Sequence, residues 1–115
     1  MTRVLVADRP SPVLRAVREA VVGESELELE PAFGTELELM LAVAELEPDL
    51  VVVSMSGRVV PPLAERLLDE YPRLMVLALD VDHSEGLVQT SGSRGELIED
   101  LYGERLREVL KSAVG

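Results

Sequence analysis

Pro48-Asp49-Leu50-Val51-Val52-Val53-Ser54 is the stretch that decides the fold. Residues 50–53 are four apolar side chains in succession, three of them β-branched, with no polar residue to mark a wet face. A strand packed on one side only would alternate. An unbroken run reads as a central parallel strand covered on both faces. Pro48-Asp49 ends the helix before it, and Ser54-Met55-Ser56-Gly57-Arg58 is the loop after it. A second run of this kind, Leu74-Met75-Val76-Leu77-Ala78-Leu79, follows the helix-breaking Tyr71-Pro72-Arg73. Toward the amino end, Arg3-Val4-Leu5-Val6-Ala7 is a third short apolar run. It stops at Asp8 and is followed by the turn signal Arg9-Pro10-Ser11-Pro12.

Helical spacing fills the intervals. Ser11 is placed to cap a first helix, with Pro12 at its first position, Val13, Leu14, Val17, Ala20 and Val21 as its apolar stripe and Gly23 as its stop. Leu27, Leu29 and Ala32 alternate with Glu28 and Glu30, as expected of an edge strand with one acidic, wet face. Thr35 caps a second helix whose buried stripe reads as Leu37, Met40, Leu41, Ala44 and Leu46. A third helix is expected near residues 61–71, with Leu63, Leu67 and Leu68 inward. Gly86-Leu87-Val88-Gln89-Thr90 is a weaker strand candidate, and Ser91-Gly92-Ser93-Arg94-Gly95 reads as a flexible connector. From Glu96 the spacing of Leu97, Ile98, Leu101, Leu106, Val109 and Leu110 predicts a last helix, kinked at Gly103. Strands alternating with helices imply right-handed crossovers and a parallel sheet with helices on both faces.

Composition narrows the function classes. The 115 residues make one domain, large enough to close an apolar core from the 47% of hydrophobic residues. The absence of cysteine excludes disulfides and thiolate metal sites. No run approaches the roughly 20 apolar residues of a membrane span, and the first residues are too short an apolar stretch for a secretory signal; a cytoplasmic protein is expected. With 22 acidic against 11 basic residues, the formal charge of -11 argues against nucleic acid and anionic lipid as partners. Lys111 is the single lysine among those basic residues.

Val4-Leu5-Val6-Ala7-Asp8, Pro48-Asp49-Leu50-Val51-Val52-Val53 and Tyr71-Pro72-Arg73-Leu74-Met75-Val76-Leu77-Ala78-Leu79 resemble the first, third and fourth strand regions of the response-regulator receiver family. The resemblance covers about the first 80 residues. It implies a flavodoxin-like, doubly wound parallel sheet of about five strands, with the site at the strand carboxyl ends where the order reverses. A working receiver carries paired acids after its first strand to hold Mg²⁺. It carries a phosphoacceptor aspartate after the third strand, a hydroxyl after the fourth and a lysine after the fifth. Carried onto this sequence, Asp8 matches the first acid and Arg9 stands where the second should be. Ser54 occupies the acceptor position, Asp80 the hydroxyl position, and Thr90 the lysine position if residues 86–90 form the fifth strand.

Four of these five positions differ from the family's pattern. A serine cannot form an acyl phosphate or supply the acceptor's negative charge beside Mg²⁺, so phosphoryl transfer should fail. Only five residues separate Asp80 from Gly86, too few for the family's fourth helix, and a hairpin over residues 76–90 remains an alternative to two parallel strands. The remnant pocket would gather Asp8, Arg9, Ser54, Asp80 and Thr90, with an ion pair from Arg9 to Asp8 or Asp80 in place of the metal.

Outside that pocket, Ser91, Gly92, Ser93, Arg94 and Gly95 ahead of a helix have the composition of an anion-binding loop but lack the ending of a P-loop; a plain connector is the simpler reading. His83 reads as a solvated loop residue, since no second histidine exists to complete a metal site. The expectation is therefore a pseudo-receiver that is no enzyme and implies no cofactor or metal. It would act in bacterial signalling by binding a protein partner or a second copy of itself. The homodimer would form through the region after Asp80 and the last helix, around Leu87, Val88 and Leu101, because a missing helix should leave apolar surface open. The alternative is a small-ligand or phospho-anion sensor, and a Ser54 phospho-acceptor is a third reading.

Overall fold

The computed structural model describes residues 2–7, 12–30, 35–92 and 95–112. Four parallel strands, β1 (Thr2–Ala7), β2 (Leu27–Glu30), β3 (Leu50–Ser54) and β4 (Met75–Asp80), are linked by α1 (Pro12–Ala20), α2 (Glu36–Leu46) and α3 (Pro62–Glu70). Two further strands, β5 (Glu85–Thr90) and β6 (Glu96–Ile98), lead to α4 (Gly103–Lys111). The six strands form one mixed sheet in the order β2-β1-β3-β4-β5-β6. Among the described residues no helix is long and apolar enough to cross a membrane.

The apolar runs lie where their composition requires. Residues 50–53 of β3 and 76–79 of β4 are almost completely buried, because helices cover both faces of the sheet. On one face Val4, Val6, Leu50, Val52, Leu77 and Leu79 pack against Val13 and Val17 of α1 and Leu106 and Leu110 of α4. On the other, Leu5, Val51, Val53, Val76 and Ala78 pack against Leu39, Ala42 and Val43 of α2 and Ala64 and Leu67 of α3. Alternate residues of each strand thus serve opposite cores, as the two-residue period of a strand dictates. β2 is an edge strand, and its Leu27 and Leu29 pack on the α1–α4 side.

The sheet is not wholly parallel. β5 runs antiparallel to β4, from Asp80 opposite Glu85 to Met75 opposite Thr90, and β6 runs antiparallel to β5. The cause is connection length: residues 81–84 form a four-residue turn, whereas a parallel return needs a crossover of about a dozen residues or more. The hairpin admitted for residues 76–90 is the arrangement adopted, and no helix lies between β4 and β5.

The last helix is shorter than its apolar spacing implies. Residues 96–98 pair with Gly86, Leu87 and Val88 as β6, and α4 begins only at Gly103, whose positive φ belongs to the start of the helix and not to a kink within it. Leu101 is buried between them, against Gly86 and the α1–α4 core. The face expected to remain open for a homodimer is therefore partly used internally. Leu101, Leu106 and Leu110 are all buried, and Val88 packs on the same core.

α2 is also rotated from its expected orientation. Leu39, Ala42 and Val43 point inward, with Met40 and Leu46 partly buried, while Leu37 and Leu41 are 69% and 61% exposed. Apolar residues stand on two opposite sides of α2, Leu37 and Leu41 on one and Leu39, Val43 and Leu46 on the other, so its periodicity singles out no one face. Thr35 caps it by accepting the Glu38 N–H at 3.1 Å. At the other end Arg3 of β1 donates to the Leu46 carbonyl at 2.6 Å, while the Arg3 N–H donates to Asp49 Oδ2 at 2.9 Å.

Candidate functional site

β1, β3 and β4 run in one direction, so their carboxyl ends form a single edge. Ser54 closes β3 and is exposed; Asp80 closes β4 and is 3% exposed. Between them lies a hollow of about 280 Å³, lined by Pro12 and Val13 of α1, Ser54, Met55 and Ser56 after β3, and Asp80, Val81 and Asp82 after β4.

A carboxylate as buried as Asp80 requires partners, and each of its oxygens has at least one. Oδ1 accepts the His83 N–H at 3.2 Å, closing the β4–β5 turn on itself. Oδ2 accepts the Gly57 N–H at 3.1 Å and lies 2.8 Å from His83 Nδ1. Gly57 and Arg58 both have positive φ, and Val59 N–H returns to the Ser56 carbonyl at 3.0 Å. Positive φ at both central residues is the mark of a type I′ turn, and this turn directs its Gly57 N–H to Asp80. Burial pushes the Asp80 carboxyl up, but the His83 ring, the two backbone N–H donors and the His83 charge outweigh it and hold the group below the usual aspartate range. The Asp80 hydrogen bond and its charge raise His83 above its ordinary value.

A second link spans the same loops. Arg58 Nη2 lies 2.8 Å from Glu85 Oε2, with Nε 3.4 Å from Oε1, so the guanidinium forks onto one carboxylate. The Glu85 hydrogen bond raises Arg58, and the Arg58 hydrogen bond lowers Glu85. The β4–β5 turn is also bonded to the entry of α4, where Leu101 N–H donates to the Ser84 carbonyl at 2.7 Å.

Of the residues expected at the remnant pocket, Ser54 and Asp80 line the hollow. Asp8 and Arg9, with the proposed internal ion pair, lie outside the described residues. Thr90 does not join them. Because β5 is antiparallel, Thr90 sits opposite Met75, at the far end of β4 from Asp80, and Glu85 takes the near position. The proposed anion loop loses its physical basis as well: Gly95 is followed by β6 and not by a helix amino terminus, and Ser93 and Arg94 lie outside the described residues. Ser91 and Gly92 border a separate hollow of about 450 Å³ beside α3, next to Glu65 and Asp69.

His83, Gly57, Arg58 and Glu85 are the site residues that sequence reasoning did not select. Asp80-x-x-His83 across a turn was the available signal for the first; the Gly57 and Arg58 contacts span 23 and 27 residues and leave no local trace. His83 is 64% exposed at its side chain yet anchored through Nδ1, so it is more than a solvated loop residue. Chemically, this end of the sheet offers two exposed serines beside an internally satisfied carboxylate. Among the described residues no three His, Asp or Glu side chains converge as a metal site. Comparison with protein-family models, curated proteins and solved structures finds no match for this chain.

Proposed function

We propose that the chain is a receiver-like interaction domain without phosphoryl chemistry, acting in bacterial regulation by binding a protein partner or a second copy of itself. The parallel order β2-β1-β3-β4 with helices on both faces supports reading it as a flavodoxin-like variant whose last βα unit is replaced by a hairpin. The observation that carries the functional part is the state of the strand ends. Ser54 stands where an acceptor carboxylate would be required, and the carboxylate that is present, Asp80, is occupied by His83 and Gly57. A phospho-anion in this hollow would face Asp80 and Asp82, which weighs against the sensor alternative.

The test is intact-mass analysis after incubation with acetyl phosphate and Mg²⁺. Unchanged mass is expected, and addition of a phosphoryl group would overturn the reading. Sedimentation equilibrium on the same preparation separates self-association from binding to another chain.

A further inference from the structure

Five large hydrophobic side chains are strongly exposed among the described residues: Val22, Leu37, Leu41, Val59 and Tyr102. Leu37 and Leu41 are the pair that shares a helix face. They stand one turn apart on α2, and exposed Ala44, one further turn along, extends them into a stripe directed away from the sheet. This stripe is additional to the face α2 already buries through Leu39, Ala42 and Val43.

One border of the stripe carries a single sign of charge. Exposed Glu38 and Glu45, seven residues apart, flank it on one side. Glu36 lies on the other and is bridged to Arg66 of α3. α2 contains no lysine or arginine. Two copies meeting antiparallel through this stripe would bring Glu38 and Glu45 against the same residues of the other copy, and in any orientation each chain carries a formal charge of -11. A basic partner has the opposite balance: its apolar residues would cover Leu37 and Leu41 while its cations meet Glu38 and Glu45.

We propose that the outer face of α2 is a docking surface for a basic amphipathic helix of a partner protein. The proposal rests on the interaction-domain reading and gives it a place on the molecule. The face is present in the folded domain and does not require the strand-end hollow to change.

The test uses the full chain and a synthetic 18-residue peptide with leucine at i, i+4 and i+7 and lysine on the border that meets Glu38 and Glu45, followed by fluorescence anisotropy. Binding to the wild-type chain is expected, weakened at least tenfold in the Leu37→Ser/Leu41→Ser variant, which alters no buried side chain. Glu38→Gln/Glu45→Gln should weaken it less and flatten its salt dependence. A sequence-scrambled peptide of the same composition should bind at least tenfold more weakly. Equal affinity for wild type and Leu37→Ser/Leu41→Ser, or no binding to wild type, would overturn the proposal. So would a concentration-dependent dimer of the wild-type chain that the double leucine variant abolishes, since the occupant would then be a second copy. Failed peptide binding without phosphoryl uptake removes the docking surface alone; phosphoryl uptake removes the parent reading.

Discussion

The two halves of the sheet solve the same problem in different ways. β1 to β4 return in parallel through helices that cover both faces, whereas β5 and β6 return at once through short turns and take their cover from Leu101 and α4. In the first half, burial is concentrated in the central strands β3 and β4, where nearly every residue is inside, with β2 as a half-buried edge. In the second, strands of mixed burial are held at a few points: Gly86 beneath Leu101, the Ser84 carbonyl on the Leu101 N–H, Asp80 on the turn, and Arg58 on Glu85. The difference shows that connection length alone can reverse a strand and thereby move a residue such as Thr90 from one end of the sheet to the other.

If the hairpin half is an integral part of one cooperative unit, Leu101→Ala should cost about 2–5 kcal/mol, the range for deleting a buried leucine. Urea unfolding should show a single transition with an unchanged slope; two separated transitions would break the comparison into independent parts. Gly86→Ala comes next. A Cβ there would collide with Leu101 Cδ2 and lie 3.0 Å from Leu77 Cδ1, and overpacking of this kind costs about 1–3 kcal/mol. Combined with Leu101→Ala it should cost less than the sum, because the smaller side chain relieves the collision. Strict additivity in the double-mutant cycle would place the close approach elsewhere.

Asp80→Ala removes the charged acceptor of the Gly57 and His83 N–H groups, and hydrogen bonds to a charged group are worth about 1.5–3 kcal/mol. The variant should also change the pH response. His83 has a folded value raised above its ordinary 6.5, so its contribution is complete below 6.5 and is lost as pH rises through the raised value. Asp80 has a folded value below its ordinary 3.8, so its contribution is present above 3.8 and is lost as pH falls through the lowered value. NMR titration of the His83 ring should give a midpoint above 6.5 that returns toward 6.5 in Asp80→Ala; an unmoved midpoint would mean the contact does not persist in solution. The smallest effect is expected from Arg58→Ala. Its guanidinium is exposed, and such pairs are worth less than about 1 kcal/mol. Thermal unfolding should place it nearest wild type of the four variants, and a loss comparable to Asp80→Ala would mean that the outer link holds the turn as firmly as the buried one.

The parallel half was legible because its signals are redundant. Residues 50–53 and 74–79 admit no wet face, Thr35 marks a cap, and breakers separate the elements. The later region was harder to read for physical reasons. Leu97, Ile98 and Leu101 satisfy helical spacing, yet residues 96–98 gain more from pairing with β5 than from extending α4. The direction of β5 followed from the short 81–84 turn, which sequence could admit but not choose. In α2, leucines on two opposite sides concealed which face turns inward, and the contact of Arg3 with the Leu46 carbonyl at its end spans 43 residues. The apolar runs locate the strand ends, and the receiver resemblance singles out Ser54 and Asp80 there. Their surroundings depend on long-range loop contacts and on the reversed hairpin.

Lys111, the single lysine of the sequence, reaches Glu24 at 3.3 Å and Glu26 at 3.4 Å and ties the end of α4 to the turn before β2. These two carboxylates raise the lysine above its ordinary value, keeping its amine protonated and poorly nucleophilic while the seam is closed. Acylation of that one ε-amine, followed by peptide mapping, should therefore be slower in the wild-type chain than in a Glu24→Gln/Glu26→Gln variant.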